Sequence, residues 1–555
     1  MTRREISLSD GIQVTVVTAV DGKLNNGMYD SAMTREGEAV IVTHDSSRTL
    51  MSTLLQNGLI SGNFCGGRGD CGRCRIQFMK GITLPTPLER SVMEPEELRQ
   101  GYRLACLSKP KSDCVIRLAL AEEPEIEIVS EMTDLSGDND YISQQKKQTE
   151  NRKTSDMKSD HLQSAENKED QKYVIAADLG TTTIAMQLCD ALTGRAVDTY
   201  CEMNPQRSYG ADVLSRIQAS CAGHSEAMQK MAWGVLERGM AQFGRKLAGM
   251  TYEMTDVTEC ARKIVRMCIA GNTAMEHLLL GYDVSSLGVS PFTPVEIGLQ
   301  EIVREGFPMP VCLAPGISAF VGGDIVAGLY ALDMLGGCRT DKREEKPEGV
   351  RLLIDLGTNG EMAITDGRRM IVTATAAGPA FEGGAGARII GTDMIAITAA
   401  MLEQGIIDET GLLAEAYFET GVTVPWKDTS VYMRNQDIRN LQLAKAAVRA
   451  GVELLWEAMG RPAVERVYLA GGFGYYLDVE AAFRIGLLPE RLRGRVQAVG
   501  NASLAGACRL GCDLCQKRVD RKALGERLAA AESMNLAKQE NFEKLYIKYM
   551  GLSPD

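Results

Sequence analysis

Residues Val174–Leu188 read VIAADLGTTTIAMQL, and residues Leu352–Ile364 read LLIDLGTNGEMAI. Each is an apolar strand pattern, then Asp-Leu-Gly-Thr, then a second apolar run. A strand–turn–strand unit that occurs twice points to two related halves facing each other. The first turn carries Asp178, Gly180, Thr181, Thr182 and Thr183. The second carries Asp355, Gly357, Thr358 and Asn359, with Glu361 just beyond. A third string, YLAGGFGYY, follows another apolar run and supplies Gly471, Gly472 and Gly474. One Asp-x-Gly-Thr alone reads as an ordinary β-turn. Two of them, each after a strand and followed by Gly-Gly-x-Gly, form a nucleotide pattern.

The chemistry fits the residue types. A tight Gly-Thr turn presents backbone N–H and hydroxyl groups to phosphates. An aspartate at a strand end can hold hydrated Mg²⁺ or position an attacking water, which makes Asp178, Asp355 and Glu361 the catalytic candidates. Asp324 and Glu382 are further acidic candidates, with structural roles equally open. Gly471 and Gly472 let a helix start approach an adenosine closely. The three strings together resemble the superfamily of actin, sugar kinases, acetate kinase and heat-shock chaperone ATPases over residues 173–515. That resemblance implies two RNase H-like lobes clamping ATP between their phosphate loops. The helix pattern over Ile438–Met459 places Leu441, Ala444, Val448, Val452 and Leu455 on one stripe, as a helix packed on such a lobe requires.

The N-terminal part has another texture. EAVIVTHD (Glu38–Asp45) alternates like a strand, and RTLMSTLLQNGL (Arg48–Leu59) has helical spacing. Strand patterns RCRIQF and CVIRLAL (Cys114–Leu120) follow a Gly/Cys-rich loop. The loop reads CGGRGDCGRC, and RLACLSKP comes later: Cys65, Cys71 and Cys74 in C-x5-C-x2-C spacing, then Cys106, 32 residues after Cys74. Four thiolates fill the outer positions of the two irons of a [2Fe–2S] cluster. The loop glycines let backbone N–H groups point at the sulfurs. Structural zinc usually takes two C-x2-C knuckles, and here one pair has that spacing. Cys114 is the alternative to Cys106 as fourth ligand. The gap of five resembles the adrenodoxin and putidaredoxin branch and the ferredoxin domains of bacterial reductases, rather than the plant type.

Composition bounds the rest. A chain of 555 residues, 45% hydrophobic, exceeds one core and affords several. A net charge of −12 without a basic stripe argues against nucleic acid as partner. The start MTRREISLSDGIQV lacks the apolar core of a signal peptide, and no uncharged apolar run reaches membrane-span length, so a cytoplasmic protein is expected. Fifteen cysteines in that compartment favour ligation over disulfides for the clustered ones. Scattered Cys189, Cys201, Cys260, Cys268 and Cys312 read as small buried hydrophobes. His44, His161, His224 and His277 are too far apart to suggest a His-rich metal site. Cys508, Cys512 and Cys515 have C-x3-C-x2-C spacing, but share a helix face and read as core; a second metal site is the alternative.

The organisation expected is multidomain. An α+β ferredoxin-like (β-grasp) domain occupies 1–122 and a flexible polar linker 123–172, where residues 134–172 are too polar to bury a core. An α/β two-lobed RNase H-like ATPase spans 173–520, and a helical tail 521–555. A [2Fe–2S] domain joined to such an ATPase resembles the reductive activators of corrinoid proteins. Further matching strings are NPQRSYGADVLSRI (Asn204–Ile217), AGNTAMEHLLLG (Ala270–Gly281), SPFTP (Ser290–Pro294), GPAFEGG (Gly378–Gly384) and QDIRNLQLAKAA (Gln436–Ala447). The resemblance implies ATP-driven electron transfer from the cluster to a Co(II) corrinoid protein of a methyltransferase system, restoring Co(I). It also implies Mg²⁺ and a low-potential electron donor. Family members carry an extra domain between cluster and ATPase; here only the polar linker stands there, so a homodimer is left open. Competing readings are an activator of another low-potential metalloenzyme such as a 2-hydroxyacyl-CoA dehydratase, a small-molecule kinase with a redox domain, and a nucleotide-gated electron carrier without turnover.

Overall fold

The computed structural model describes residues 12–17, 39–57, 59, 69, 72, 74–93, 95–118, 171–210, 212–249, 263–340, 349–357, 359–377, 391–427 and 429–554. Almost all of the polar segment 134–172 thus lies outside the described residues, as do Cys65, Cys71, Cys260, Thr358 and Glu382.

The first sheet runs β2-β1-β5-β3-β4. Its strands are β1 (Ile12–Val17), β2 (Ala39–His44), β3 (Arg75–Lys80), β4 (Tyr102–Leu104) and β5 (Cys114–Leu118). β1 pairs antiparallel with β2 and parallel with β5, the mixed pairing of a β-grasp domain. Val14 and Val16 point inward by strand alternation and meet Leu50, Met51 and Leu54 of helix Leu50–Gln56. The first amides of that helix find outside partners: Leu50 N donates to Ser108 O (2.8 Å) and Met51 N to Ala105 O (3.0 Å). The turn holding Cys106 is thereby fixed to the helix start.

From Tyr173 the chain builds two sheets of the same plan. The first has β6 (Tyr173–Leu179), β7 (Thr183–Asp190), β8 (Ala196–Met203), β9 (Ile264–Gly271), β10 (Gln300–Ile302) and β11 (Val311–Leu313), in the order β10-β11-β9-β6-β7-β8. The second has β12 (Val350–Leu356), β13 (Gly360–Thr365), β14 (Met370–Thr375), β17 (Val464–Ala470), β18 (Val496–Gly500) and β19 (Glu532–Met534), in the order β18-β17-β12-β13-β14-β19. A hairpin β15 (Val422–Trp426) and β16 (Thr429–Met433) lies between β14 and β17 in the chain. In each sheet three consecutive strands form an antiparallel meander, and a later strand, β9 or β17, pairs in parallel with the first. The two Asp-Leu-Gly-Thr turns therefore occupy equivalent places, each joining the first two strands of its lobe.

Two helices join the lobes. Gly323–Ala331 precedes the second sheet, and Ala502–Cys515 leaves it after β18. They touch so closely that a Cβ on Gly506 would collide with the Ala327 carbonyl, which fixes glycine there. The far end of Ala502–Cys515 returns to the first lobe: Cys508 Sγ lies 3.5 Å from Gly194 O and Cys512 Sγ 3.6 Å from Asp190 O. Both cysteines belong to one apolar core with Cys189, Cys268 and Cys312, as small hydrophobes.

The tail is not purely helical. After helix Arg521–Ala529 the chain gives β19, which extends the second sheet parallel to β14, before helix Phe542–Lys548. Arg369 donates to both carboxylate oxygens of Glu532 (2.6 and 2.7 Å), holding that edge. The end of the chain is locked in as well: Leu552 is fully buried in the second lobe's core, and its N–H donates to Glu409 O (2.7 Å). Leu552→Ala is expected to destabilise the second lobe by about 3 kcal/mol, read as a lower melting midpoint of the full chain, with the cluster absorption unchanged.

Candidate functional site

The cluster site starts with backbone pairing. Ala105 N donates to Cys74 O (2.8 Å), which sets the turn before β3 against the Cys106 turn. The Cys74 and Cys106 sulfurs lie 3.2 Å apart and both residues are buried. A disulfide would need about 2.05 Å. Two thiolates on one tetrahedral metal with ~2.3 Å bonds sit about 3.8 Å apart, so a small adjustment places both on one iron. Soft sulfur donors in a buried, glycine-rich turn suit iron of a [2Fe–2S] cluster. Cys114 is placed elsewhere: it lies in β5 opposite Val14, buried, and burial followed by the Asp113 charge pushes its thiol up to about 11. It packs with the apolar core of the first sheet.

The nucleotide candidates converge at the ends of β6, β12 and β17. Gly180, Thr181 and Thr182 bridge β6 and β7, and Thr183 starts β7. Thr181 Oγ1 accepts from Asn272 Nδ2 (3.1 Å), whose Oδ1 caps helix Thr273–Leu280 at Met275 N (3.0 Å). In the second lobe Gly357 N donates to Asn359 O (2.9 Å), closing the matching turn. Gly471 opens helix Gly471–Tyr476 in the left-handed region (φ 82°), and a Cβ there would fall 2.5 Å from Asp355 Oδ1. Only glycine brings this helix start against the Asp355 carboxylate. Gly472 has open space where a Cβ would be, whereas Gly474 is packed beside Leu469. The structure thus places Gly471 and Gly472 at the cleft and Gly474 behind it.

Five carboxyls gather here. Asp178, Asp324 and Asp355 keep part of their surface open, while Glu276 and Glu361 are buried. Glu361 stands directly across the ladder from Asp355. Burial, then the Asp324 and Asp178 charges, push Asp355 up to about 8. Burial and the Asp178 charge raise Asp324 to about 7. Burial, then the Asp324 charge, also raises Glu361 and Glu276. Asp178 is raised by burial but eased by two donors: Asn501 Nδ2 to its Oδ2 and Ser503 Oγ to its Oδ1, both 2.9 Å. Among the described residues no hydrogen bond reaches the Asp355 carboxylate. Asp178 therefore ties the first loop to the helix leaving the second lobe, and Asp355 is the more available carboxylate.

Sequence reasoning had no hold on Glu276, Asn501 or Ser503. Asn272 and Glu276 do sit in the matching string AGNTAMEHLLLG, where an Asn before a helix signals a cap. A family model described as "RACo middle region" matches residues 173–336. A second, "C-terminal domain of RACo the ASKHA domain", matches 349–388 and 385–554. The chain belongs to the RACo family. A third model, "2Fe-2S iron-sulfur cluster binding domain", matches 33–111. The family's middle region thus falls on the residues that build the first of the two sheets.

Two relatives cover much of this RACo-family chain. The corrinoid activation enzyme RamQ of Eubacterium limosum is 28% identical over 402 residues, 61% of this chain and 64% of that protein. The match therefore spans less than two thirds of that relative's length. The [Co(II) methylated amine-specific corrinoid protein] reductase of Methanosarcina barkeri is 23% identical over 445 residues, 68% of this chain and 76% of that one. Among solved structures, a reductive activator for corrinoid,iron-sulfur protein aligns with a TM-score of 0.57 at 24% identity, covering 97% of this chain and 98% of that one. That likeness speaks for the fold: a ferredoxin-type domain followed by a two-lobed ASKHA unit. Among the described residues no helix is long and apolar enough to cross a membrane.

Proposed function

We propose that the chain is an ATP-dependent reductive activator that passes an electron to an inactive Co(II) corrinoid protein and restores Co(I) for methyl transfer. The observation that carries this reading is the pairing, in one chain, of a buried two-sulfur site with an acid-lined cleft between two RNase H-like lobes. The family match and the relatives' names support it.

Cys65, Cys71, Cys74 and Cys106 would hold the [2Fe–2S] cluster, and the Cys74 and Cys106 sulfurs already lie side by side. Bound there, the cluster supplies one-electron chemistry. Gly180, Thr181, Thr182 and Thr183 on one side, and Gly357, Thr358 and Asn359 on the other, bind the phosphates of MgATP. Gly471 and Gly472 form the adenosine floor, and Gly474 backs it against Leu469. Asp355, with Glu361 across the ladder, positions the attacking water or the substrate's Mg²⁺.

Reducing Co(II) to Co(I) lies uphill from a [2Fe–2S] site, so nucleotide must favour one conformation of the complex. Asp178 provides the link. Its carboxylate accepts from Asn501 and Ser503, and MgATP on the Gly180–Thr183 turn would call on the same oxygens. Nucleotide binding then bears directly on a contact between the lobes, which is the differential interaction coupling requires.

The test is anaerobic. Reduced protein and ATP, mixed with a Co(II) corrinoid protein of a methyltransferase system, should raise the Co(I) absorption, and omission of ATP should abolish the rise. No Co(I) with any corrinoid partner, despite an intact cluster, would sink the reading. ATP-independent reduction would favour a simple electron carrier.

A further inference from the structure

Three polar side chains from Asn204 to Arg216 pack behind the Gly180–Thr183 turn. Asn204, Gln206 and Arg216 are each at most 1% exposed. Such polar groups need partners in the interior, and these find them on one another and on the loop. Asn204 caps the turn Pro205–Tyr209: its Oδ1 accepts from Gln206 N (3.0 Å). That fixes the amide, so Nδ2 faces Gly180 O and donates to it (2.8 Å). Asn204 N donates to Thr182 O (2.9 Å). Arg216 donates through Nη2 to Thr181 O and through Nε to Gly210 O (3.0 Å), while Nη1 reaches Gln206 Oε1 (3.4 Å) and Met275 Sδ (3.0 Å). Gln206 is anchored in turn by Nε2 donating to Met228 O (3.0 Å).

The consequence follows from peptide geometry. In a planar trans peptide the carbonyl of one residue and the N–H of the next point to opposite sides. Asn204 draws the Gly180 carbonyl back, which turns the Thr181 N–H the other way. Arg216 draws the Thr181 carbonyl back, which turns the Thr182 N–H the other way. Two successive amides are thus aimed away from the Asn204–Arg216 segment, in the arrangement that receives an anion. The Arg216 guanidinium adds a positive charge directly behind them.

We propose that Asn204 and Arg216 are positioning residues for the terminal phosphates of ATP, acting by holding the Gly180 and Thr181 carbonyls so that the Thr181 and Thr182 amides meet phosphate oxygens. This rests on the nucleotide reading of the cleft. Neither side chain touches the nucleotide; each acts through the loop.

Affinities of the full chain for ATP and for AMP test it, measured by competition against a fluorescent ATP analogue. AMP keeps the adenosine but lacks the two terminal phosphates. Arg216→Lys keeps the charge and loses the fork. It should weaken ATP about tenfold while AMP changes less than about twofold. Asn204→Ser keeps the cap but is too short to reach Gly180 O, and should show the same split. Melting curves check the fold, and if Arg216→Lys does not fold, Asn204→Ser decides. Equal weakening of ATP and AMP, or unchanged ATP affinity, in a folded variant overturns the proposal. Failure of the wild-type chain to bind ATP would instead overturn the nucleotide reading itself.

Discussion

Cys74→Ser should remove the [2Fe–2S] absorption and the proposed ATP-dependent corrinoid reduction, while ATP affinity should stay within about twofold of wild type. The sulfur is what the substitution takes away. The backbone role of residue 74, accepting from Ala105 N, survives in Ser, so the turn before β3 should persist. Ser is also nearly isosteric, and the core around Ile76, Leu104 and Leu50 is untouched. Loss of the cluster then reports ligand chemistry rather than unfolding. Cys114→Ser is the contrasting variant. Its thiol is held neutral in β5, with burial the main cause, and it should retain the full absorption. Absorption retained in Cys74→Ser, or lost equally with Cys114→Ser, would refute the ligand set. Equal loss of cluster and ATP binding would mean that the variant had unfolded.

What the sequence disclosed and what it hid have physical reasons. The strands before the two Asp-Leu-Gly-Thr turns are buried on both faces, so they read as continuous apolar runs ended by turn residues. That local signal was strong enough to expose the duplication, and the equivalent sheet orders match it. Cysteine spacing was equally local. β19 escaped because three residues, Glu532–Met534, carry no periodicity; the open edge of β14 and the Arg369–Glu532 pair make it a strand. β1 escaped as well, although Ile12–Val17 alternates, because nothing in its short run shows that β2 and β5 will flank it. The charge environment of the cleft was illegible for a different reason. Asp178 meets Asn501 and Ser503, 323 and 325 residues away, and a pairing at that distance leaves no trace in spacing. The same holds for Arg216, which reads as a polar helix residue until Thr181 is folded against it.

Asp355→Asn should lower ATP hydrolysis by about 10²–10⁴-fold while the cluster absorption is kept and ATP affinity changes less than tenfold. The substitution preserves shape beside Gly471, where the helix start leaves no room for a larger group. It removes a buried carboxyl that folding forces to hold a proton beside Asp178, Asp324 and Glu361. The free protein should therefore gain stability even as it loses turnover. The sign is fixed by linkage. The Asp355 carboxyl is raised to about 8, above the ordinary value near ~4, so its favourable contribution is complete below pH ~4 and is lost as pH climbs through 8. Between pH 5 and 8 the melting midpoint of the wild-type second lobe should fall, and in Asp355→Asn it should fall less. MgATP reverses the balance, because a cation beside the carboxylate favours its ionised form. Binding of MgATP at pH 7 should then release a proton that calorimetry in buffers of different ionisation enthalpy detects, and Asp355→Asn should release less. A variant that hydrolyses ATP at the wild-type rate would move the catalytic role elsewhere, with Glu361 across the ladder the next carboxyl to replace.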